Sequence, residues 1–333
     1  MRPFEYVSPT TETEAVDALN DHDGQTMVLA GGTDLISLLQ RDAVQTQRVV
    51  DIKKIDTLKT IEQVDDGVLI GATVTLDEAL ESPLLAGHDS LAQVIDGHRA
   101  IQIQSSGTLV GDLCQMPHCW YFRNGFGVLG RKDGESLAEL GDNRYHAVFG
   151  NAGPAKFVCA SRFAPSMVAW GAKVRVIGPG PEDEQFVPLE YFFVTPRLES
   201  QGVNVLKPGQ LVTHIWLPTV ADVKSGAYEV LESKGLDRPQ AAAAVCLQTE
   251  GDFVRDARIV MGHVAPTPWI AHEAARALIG QRLDEDMASN IGDIALSTAT
   301  PLSMNEYKVT MARAAVKRSL LRAVGKLDDA LVQ

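Results

Sequence analysis

Cysteine is scarce, with four residues in a chain of 333. That excludes a disulfide framework, so a buried apolar core has to hold the fold. Long hydrophobic runs are missing too: each apolar stretch is interrupted by Gly, Asp or Lys before it could cross a bilayer. Met1 leads directly into Arg2, Pro3 and Phe4 without the apolar centre of a secretory leader, which with so few cysteines points to a reducing, cytoplasmic setting. Positive charge is in deficit, 30 Lys and Arg against 43 Asp and Glu, for a net charge of -13. This field repels nucleic acid and anionic membrane, and neither is an expected partner. An anionic ligand must therefore be held by local backbone dipoles or a few placed cations.

What is present describes a globular protein. Hydrophobic residues make up 45% and charged residues 22%, enough burial to offset ordering entropy. The length suits two or three domains and an enzyme subunit. Thr11 and Glu14 have capping-box spacing ahead of Ala15, Val16, Ala18 and Leu19, with Gly24 as the C-terminal cap. Thr26–Ala30 reads as a strand, Leu35–Leu39 as a helix and Arg48–Ile52 as the next strand, a small βαβ unit. Leu58–Val64 and Val68–Ala72 form a predicted hairpin about Asp65, Asp66 and Gly67, and Thr75 with Glu78 repeats the capping-box spacing. Residues 105–156 are rich in Gly, Asn and aromatics without periodicity, a loop long enough to suggest a function. A helix over Ala164–Ala172, a strand over Lys173–Ile177 and a strand over Leu211–Leu217 ended by Pro218 complete this half. Beyond a boundary near residue 222, Tyr228–Ser233, Ala242–Gln248 and Ala257–Val264 read as an antiparallel meander. Helices follow over Trp269–Ile279, Asp284–Ser297 and Asn305–Val324. Strands followed by helices make the fold class α+β.

The best chemical signal is Leu29-Ala30-Gly31-Gly32-Thr33-Asp34-Leu35, set between a predicted strand and a helix. Consecutive glycines admit positive φ and let a ligand reach the amides unobstructed, the makings of an anion-binding nest. The bland alternative is a tight turn with Asp34 as N-cap. A second segment, Gly107-Thr108-Leu109-Val110-Gly111-Asp112-Leu113, again combines small and hydroxyl residues. No acid–base pair or activated nucleophile stands out, so no catalytic residue is expected; such chemistry would belong to a cofactor.

On these residues the sequence resembles the FAD-binding medium subunit of the molybdenum hydroxylases, the xanthine dehydrogenase family. It is most similar to the branch of hydroxybenzoyl-coenzyme A reductase and bacterial aldehyde oxidoreductases. Leu29 to Leu35 match the family's first diphosphate loop and Thr108 to Leu113 its second. Val254–Val260 with Val264-Ala265-Pro266-Thr267-Pro268 matches the family's C-terminal domain. The resemblance implies a PCMH-type FAD-binding fold over residues 1–222, in α/β subdomains of about 1–55 and 56–222 with an insertion at 112–156, and a CO dehydrogenase flavoprotein C-terminal-like domain over 223–333. It implies FAD here, 2Fe-2S clusters on a small partner subunit and a molybdopterin cofactor on a large one, in a heterotrimer or a dimer of heterotrimers that hands electrons to an external acceptor. Carried over position by position, Thr33, Asp34, Thr108, Gly111, Asp112, Leu113 and Ser161 join the cofactor site. Leu211 corresponds to an apolar residue beside the flavin and Lys234 to a lysine near its ring; read without the resemblance, Lys234 is an ordinary exposed lysine.

The departures are local. Val110 stands where the family prefers glycine, and Arg162 follows Ser161 where relatives carry an acidic residue. In the related branch four loop cysteines hold a four-iron cluster. Here Cys119 alone sits in such a position, those near Val128, Leu137 and Tyr145 being unfilled, so no metal is expected. Trp120, Tyr121, Phe122, Phe126 and Tyr145 should hold the loop instead. The rival readings are a scaffold subunit that has lost stable FAD binding and a stand-alone NADPH-dependent flavin reductase, which would need a proton donor beside the flavin.

Overall fold

A computed structural model of the chain describes residues 1–20, 25–180, 182–233 and 237–327. The expected cap at Gly24 and the expected flavin neighbour Lys234 lie outside the described residues. Strands β1 (Glu5–Val7), β2 (Thr26–Leu29) and β3 (Arg48–Asp51) form a parallel sheet in the order β1-β3-β2. Helices Glu12–Asn20 and Leu35–Gln40 connect them. β1 has only three residues, too short to show alternation in sequence. The Thr11 hydroxyl accepts the Glu14 amide at 3.1 Å, but the Glu14 carboxylate returns to the Thr10 amide, at 2.8 Å, instead of to Thr11. At Thr75 the box closes fully: the Glu78 amide donates to the Thr75 hydroxyl, and the Thr75 amide to the Glu78 carboxylate at 2.8 Å.

The second sheet is wholly antiparallel. The hairpin β4 (Ile61–Val64) and β5 (Gly67–Gly71) begins later than the apolar pattern suggests, because Leu58 lies in a 3-10 turn over Asp56–Lys59 and is buried there. A small hairpin, β6 (Arg131–Lys132) and β7 (Glu135–Ser136), stands apart inside the 112–156 insertion. β8 (Lys173–Ile177), β9 (Glu184–Pro188) and β10 (Leu211–Pro218) complete the sheet in the order β4-β5-β10-β8-β9. β10 is central, and its Ile215 and Leu217 are fully buried among Val68, Ile70, Val174 and Phe192.

The last sheet, β11 (Val223–Val230), β12 (Ala241–Glu250), β13 (Phe253–Gly262) and β14 (Trp269–Ile270), is an antiparallel meander. Helices His272–Leu278, Glu285–Leu296 and Tyr307–Ala323 follow it, and the class is α+β as expected. Two boundaries move. β11 starts at Val223, ahead of the expected Tyr228, because Lys224, Ser225 and Gly226 lack apolar alternation yet pair with Leu247, Cys246 and Val245. At Gly226 a Cβ would stand 2.5 Å from the Ser319 carbonyl oxygen, so only glycine lets the final helix lie flush on β11. Trp269 and Ile270, expected to open a helix, instead pair with Met261 and Val260 as a strand.

Candidate functional site

The fold brings the two glycine segments together. Gly31 packs so tightly on the stretch before the second loop that a Cβ there would sit 1.8 Å from the Ser106 carbonyl oxygen. Gly32 takes φ +73, a left-handed conformation that suits glycine. Thr108 caps the helix Leu109–Leu113, its hydroxyl accepting the Gly111 amide at 3.0 Å. Val110 lies inside that helix, packed against the core but also on the wall of the cavity described next, and the second segment is a helix start instead of a second nest.

Between the segments lies a cavity of about 350 Å³. Ala30, Gly31, Gly32, Thr33, Asp34 and Leu35 form one wall, Thr108 and Gly111 another, and Leu211 and Val212 of β10 a third. Among the described residues, none accepts a hydrogen bond from the Gly31, Gly32 or Thr33 amide. Successive free amides beside a cavity make a site for an anion.

Asp34 neither caps its helix nor stands free. Its carboxylate accepts Arg123 Nη2 at 2.7 Å and the Met116 amide at 3.2 Å. Arg123 itself is buried and also donates to the carbonyls of Pro117 and Met116. The insertion is thereby latched to the glycine loop, and the acid that would repel a phosphate is neutralised. Sequence reasoning missed Arg123; nothing in Trp120-Tyr121-Phe122-Arg123 distinguishes it from a surface arginine.

Other expected site residues lie outside this cavity. Leu29 ends β2 behind the loop, with its side chain against Gly32. Leu113 is core. Asp112 is buried and accepts hydrogen bonds from the Ser161 hydroxyl and from the amides of Phe163 and Arg162, joining the second segment to the start of helix Ala164–Trp170. Burial pushes its carboxyl up to about 6, against these hydrogen bonds. Asp112 and Ser161 therefore bond each other here. Arg162 forms a buried two-point ion pair with Glu229 of β11, Nε to Oε1 at 2.9 Å and Nη2 to Oε2. It fastens the first half of the chain to the last sheet and is not free to meet a phosphate.

The insertion builds a second cavity, of about 360 Å³. Trp120 meets Tyr121 and Tyr145 edge-on, as expected of a loop held by aromatics, and Phe122 is buried; the Phe126 side chain is exposed, and its backbone bonds to Tyr121 and Arg131. Cys119 Sγ lies 3.2 Å from His146 Nε2. Burial, helped by Lys308, pushes the His146 ring down to about 4, and burial pushes the Cys119 thiol up, so both groups are neutral and the contact is a hydrogen bond without proton transfer. Among the described residues no group of His, Cys, Asp and Glu is arranged to hold a metal ion. Lys308 is fully buried, its Nζ donating to the carbonyls of Tyr145, His146 and His263, and burial pushes its pKa down to about 7.

With this geometry in view, residues 2–220 match the family described as the FAD binding domain in molybdopterin dehydrogenase. The chain belongs to that family. Residues 226–323 match the CO dehydrogenase flavoprotein C-terminal domain. The chain is 24% identical to the carbon monoxide dehydrogenase medium chain of Hydrogenophaga pseudoflava, over 95% of this chain and 96% of that one. It is 26% identical to the medium chain of the same name from Afipia carboxidovorans, over 98% of each. Quinoline 2-oxidoreductase from Pseudomonas putida 86 shares the fold, with a TM-score of 0.76 at 21% identity over 98% of this chain and 99% of that one. The chain is thus an oxidoreductase component, the FAD-binding medium subunit of a molybdenum hydroxylase or dehydrogenase, and its relatives are medium chains of multi-subunit enzymes. Among the described residues no helix is long and apolar enough to cross a membrane.

Proposed function

We propose that this subunit passes electrons from the iron-sulfur clusters of a small partner subunit to an external acceptor, within a cytoplasmic heterotrimer or a dimer of heterotrimers whose large subunit carries the molybdopterin cofactor. FAD, when bound, supplies the electron-carrying ring. The division of labour within the chain follows a boundary near residue 222, with the cofactor held by the first part. The amides of Gly31, Gly32 and Thr33 hold the diphosphate, with the Thr33 and Thr108 hydroxyls and the turn at Gly111 around it. Leu211 offers an apolar surface to the ring, and Lys234 a cation for its reduced form. Asp34, paired with Arg123, keeps the loop in place, and Asp112 with Ser161 supports the second wall.

The observation that carries this reading is the row of unpartnered amides beside the cavity, in a chain whose net charge of -13 gives no long-range help to an anion. The purified complex should be yellow and release about one FAD per copy of this chain on denaturation. A colourless, fully assembled complex would support the scaffold reading instead.

A further inference from the structure

The two cavities meet at a hydrogen-bonded bridge. Gln115, on the wall of the first, turns its carboxamide oxygen to two residues on the wall of the second, His118 Nε2 at 2.7 Å and Arg238 Nη1 at 3.3 Å. Its own amide nitrogen donates to Asp112 at 2.9 Å. Arg238 is the loose member. Its bond is longer than the usual range of about 2.7 to 3.2 Å, and Gln115 keeps His118 if it leaves. Arg123 and Arg162 are committed to Asp34 and Glu229, but among the described residues no carboxylate pairs with Arg238, although Glu232 and Asp237 line the same cavity. The remaining N–H donors of its guanidinium are therefore uncommitted. Desolvation by the surrounding protein pushes its pKa down to about 10, which leaves it charged at neutral pH; Asp34 favours that charge, while Arg123 and Arg162 oppose it. Since Asp34 is already neutralised by Arg123, Arg238 is surplus positive charge beside the glycine loop, in a chain of net charge -13.

Resting on the flavin reading above, we propose that Arg238 is a further cofactor-binding residue: it gives up Gln115 when FAD enters and pairs its guanidinium with the phosphates on the Gly31, Gly32 and Thr33 amides. The amides supply donors without net charge. Arg238 supplies the cation, in a planar fork that matches phosphate oxygens. Each cavity, at about 350 or 360 Å³, lies near the small end of the range that one drug-sized ligand fills, about 300 to 1,000 Å³. A dinucleotide is larger than such a ligand and has to pass the bridge, where Arg238 stands.

The test is fluorescence titration of flavin-free complex with FAD at low and high salt, with denaturant unfolding of the flavin-free form measured alongside. Arg238→Met should bind FAD at least about tenfold more weakly than wild type and lose most of the weakening that salt causes. Arg238→Lys keeps the charge without the fork, and should recover the salt dependence and part of the affinity. Unfolding of flavin-free Arg238→Met should match wild type, because its one long hydrogen bond is all that is lost. Should Arg238→Met not assemble, Arg238→Gln, which can still donate to Gln115 but carries no charge, should show the same two losses. Equal FAD affinity in wild type and Arg238→Met overturns the proposal and leaves the flavin reading standing. So does a loss of affinity with unchanged salt dependence, or one matched by a loss of stability, which would make Arg238 a structural residue. A wild-type complex that takes up no FAD contradicts the flavin reading, and the proposal falls with it.

Discussion

The two cavities are alike in volume, about 350 and 360 Å³, and unlike in construction. The first is written largely in short contiguous segments: a glycine loop, a capped helix start and one central strand. The second is assembled from Cys119, His146, His263 and Lys308, spread over most of the chain and joined only by tertiary packing. A site that works through backbone amides needs consecutive residues, because neighbouring N–H groups converge only along one turn. A site that works through side chains has no such requirement and leaves no local signature.

Substitutions should separate the two. Gly31→Val carries the largest expected effect: its side chain collides with the Ser106 carbonyl, and FAD affinity should drop by at least about 100-fold. Fluorescence titration of flavin-free complex with FAD measures it. Arg162→Met leaves Glu229 buried without its partner and should cost about 3 to 5 kcal/mol in denaturant unfolding. FAD binding should weaken with it, since that pair joins the first half of the chain to the last sheet. Unchanged unfolding would mean that the pair is not such a tie.

Lys308 gives a pH signature to the second cavity alone. Its folded pKa, about 7, lies below the ordinary lysine value of 10.5, so between these limits the unfolded chain binds more protons and this lysine's contribution to stability rises with pH. Between pH 7 and 10 the wild-type complex should gain about 4 kcal/mol relative to Lys308→Met, read as the difference of unfolding curves. Equal slopes would mean that Lys308 is not desolvated. The smallest effect belongs to the latch. Arg123→Met uncovers the Asp34 charge next to the diphosphate loop and should weaken FAD by about tenfold, with Arg123→Lys recovering part of the loss.

Legibility followed the same division. The βαβ unit, the hairpin, the glycine loop and the Thr75 box were readable because each depends on residues within one turn or one strand. The start of β11 was not, since Lys224-Ser225-Gly226 is shaped by the helix lying on it. Trp269 and Ile270 carry a pattern a helix could use, and only pairing with β13 makes them a strand. At the site, the resemblance implied cofactor contacts for Asp112 and Ser161, whereas the structure sets them outside the first cavity and bonded to each other, a tertiary fact, as is the grip of Arg123 on Asp34. Arg162 looked like a departure affecting phosphate; its partner Glu229, far along the chain, gives it a structural role instead.

The most direct test of the account is amide hydrogen exchange at Gly31, Gly32 and Thr33 in the assembled complex, with FAD and after its removal. Slowed exchange at these positions on FAD binding, with Ser225–Val230 of β11 unchanged, is the predicted result. Exchange at 31–33 that is the same in both states would contradict it.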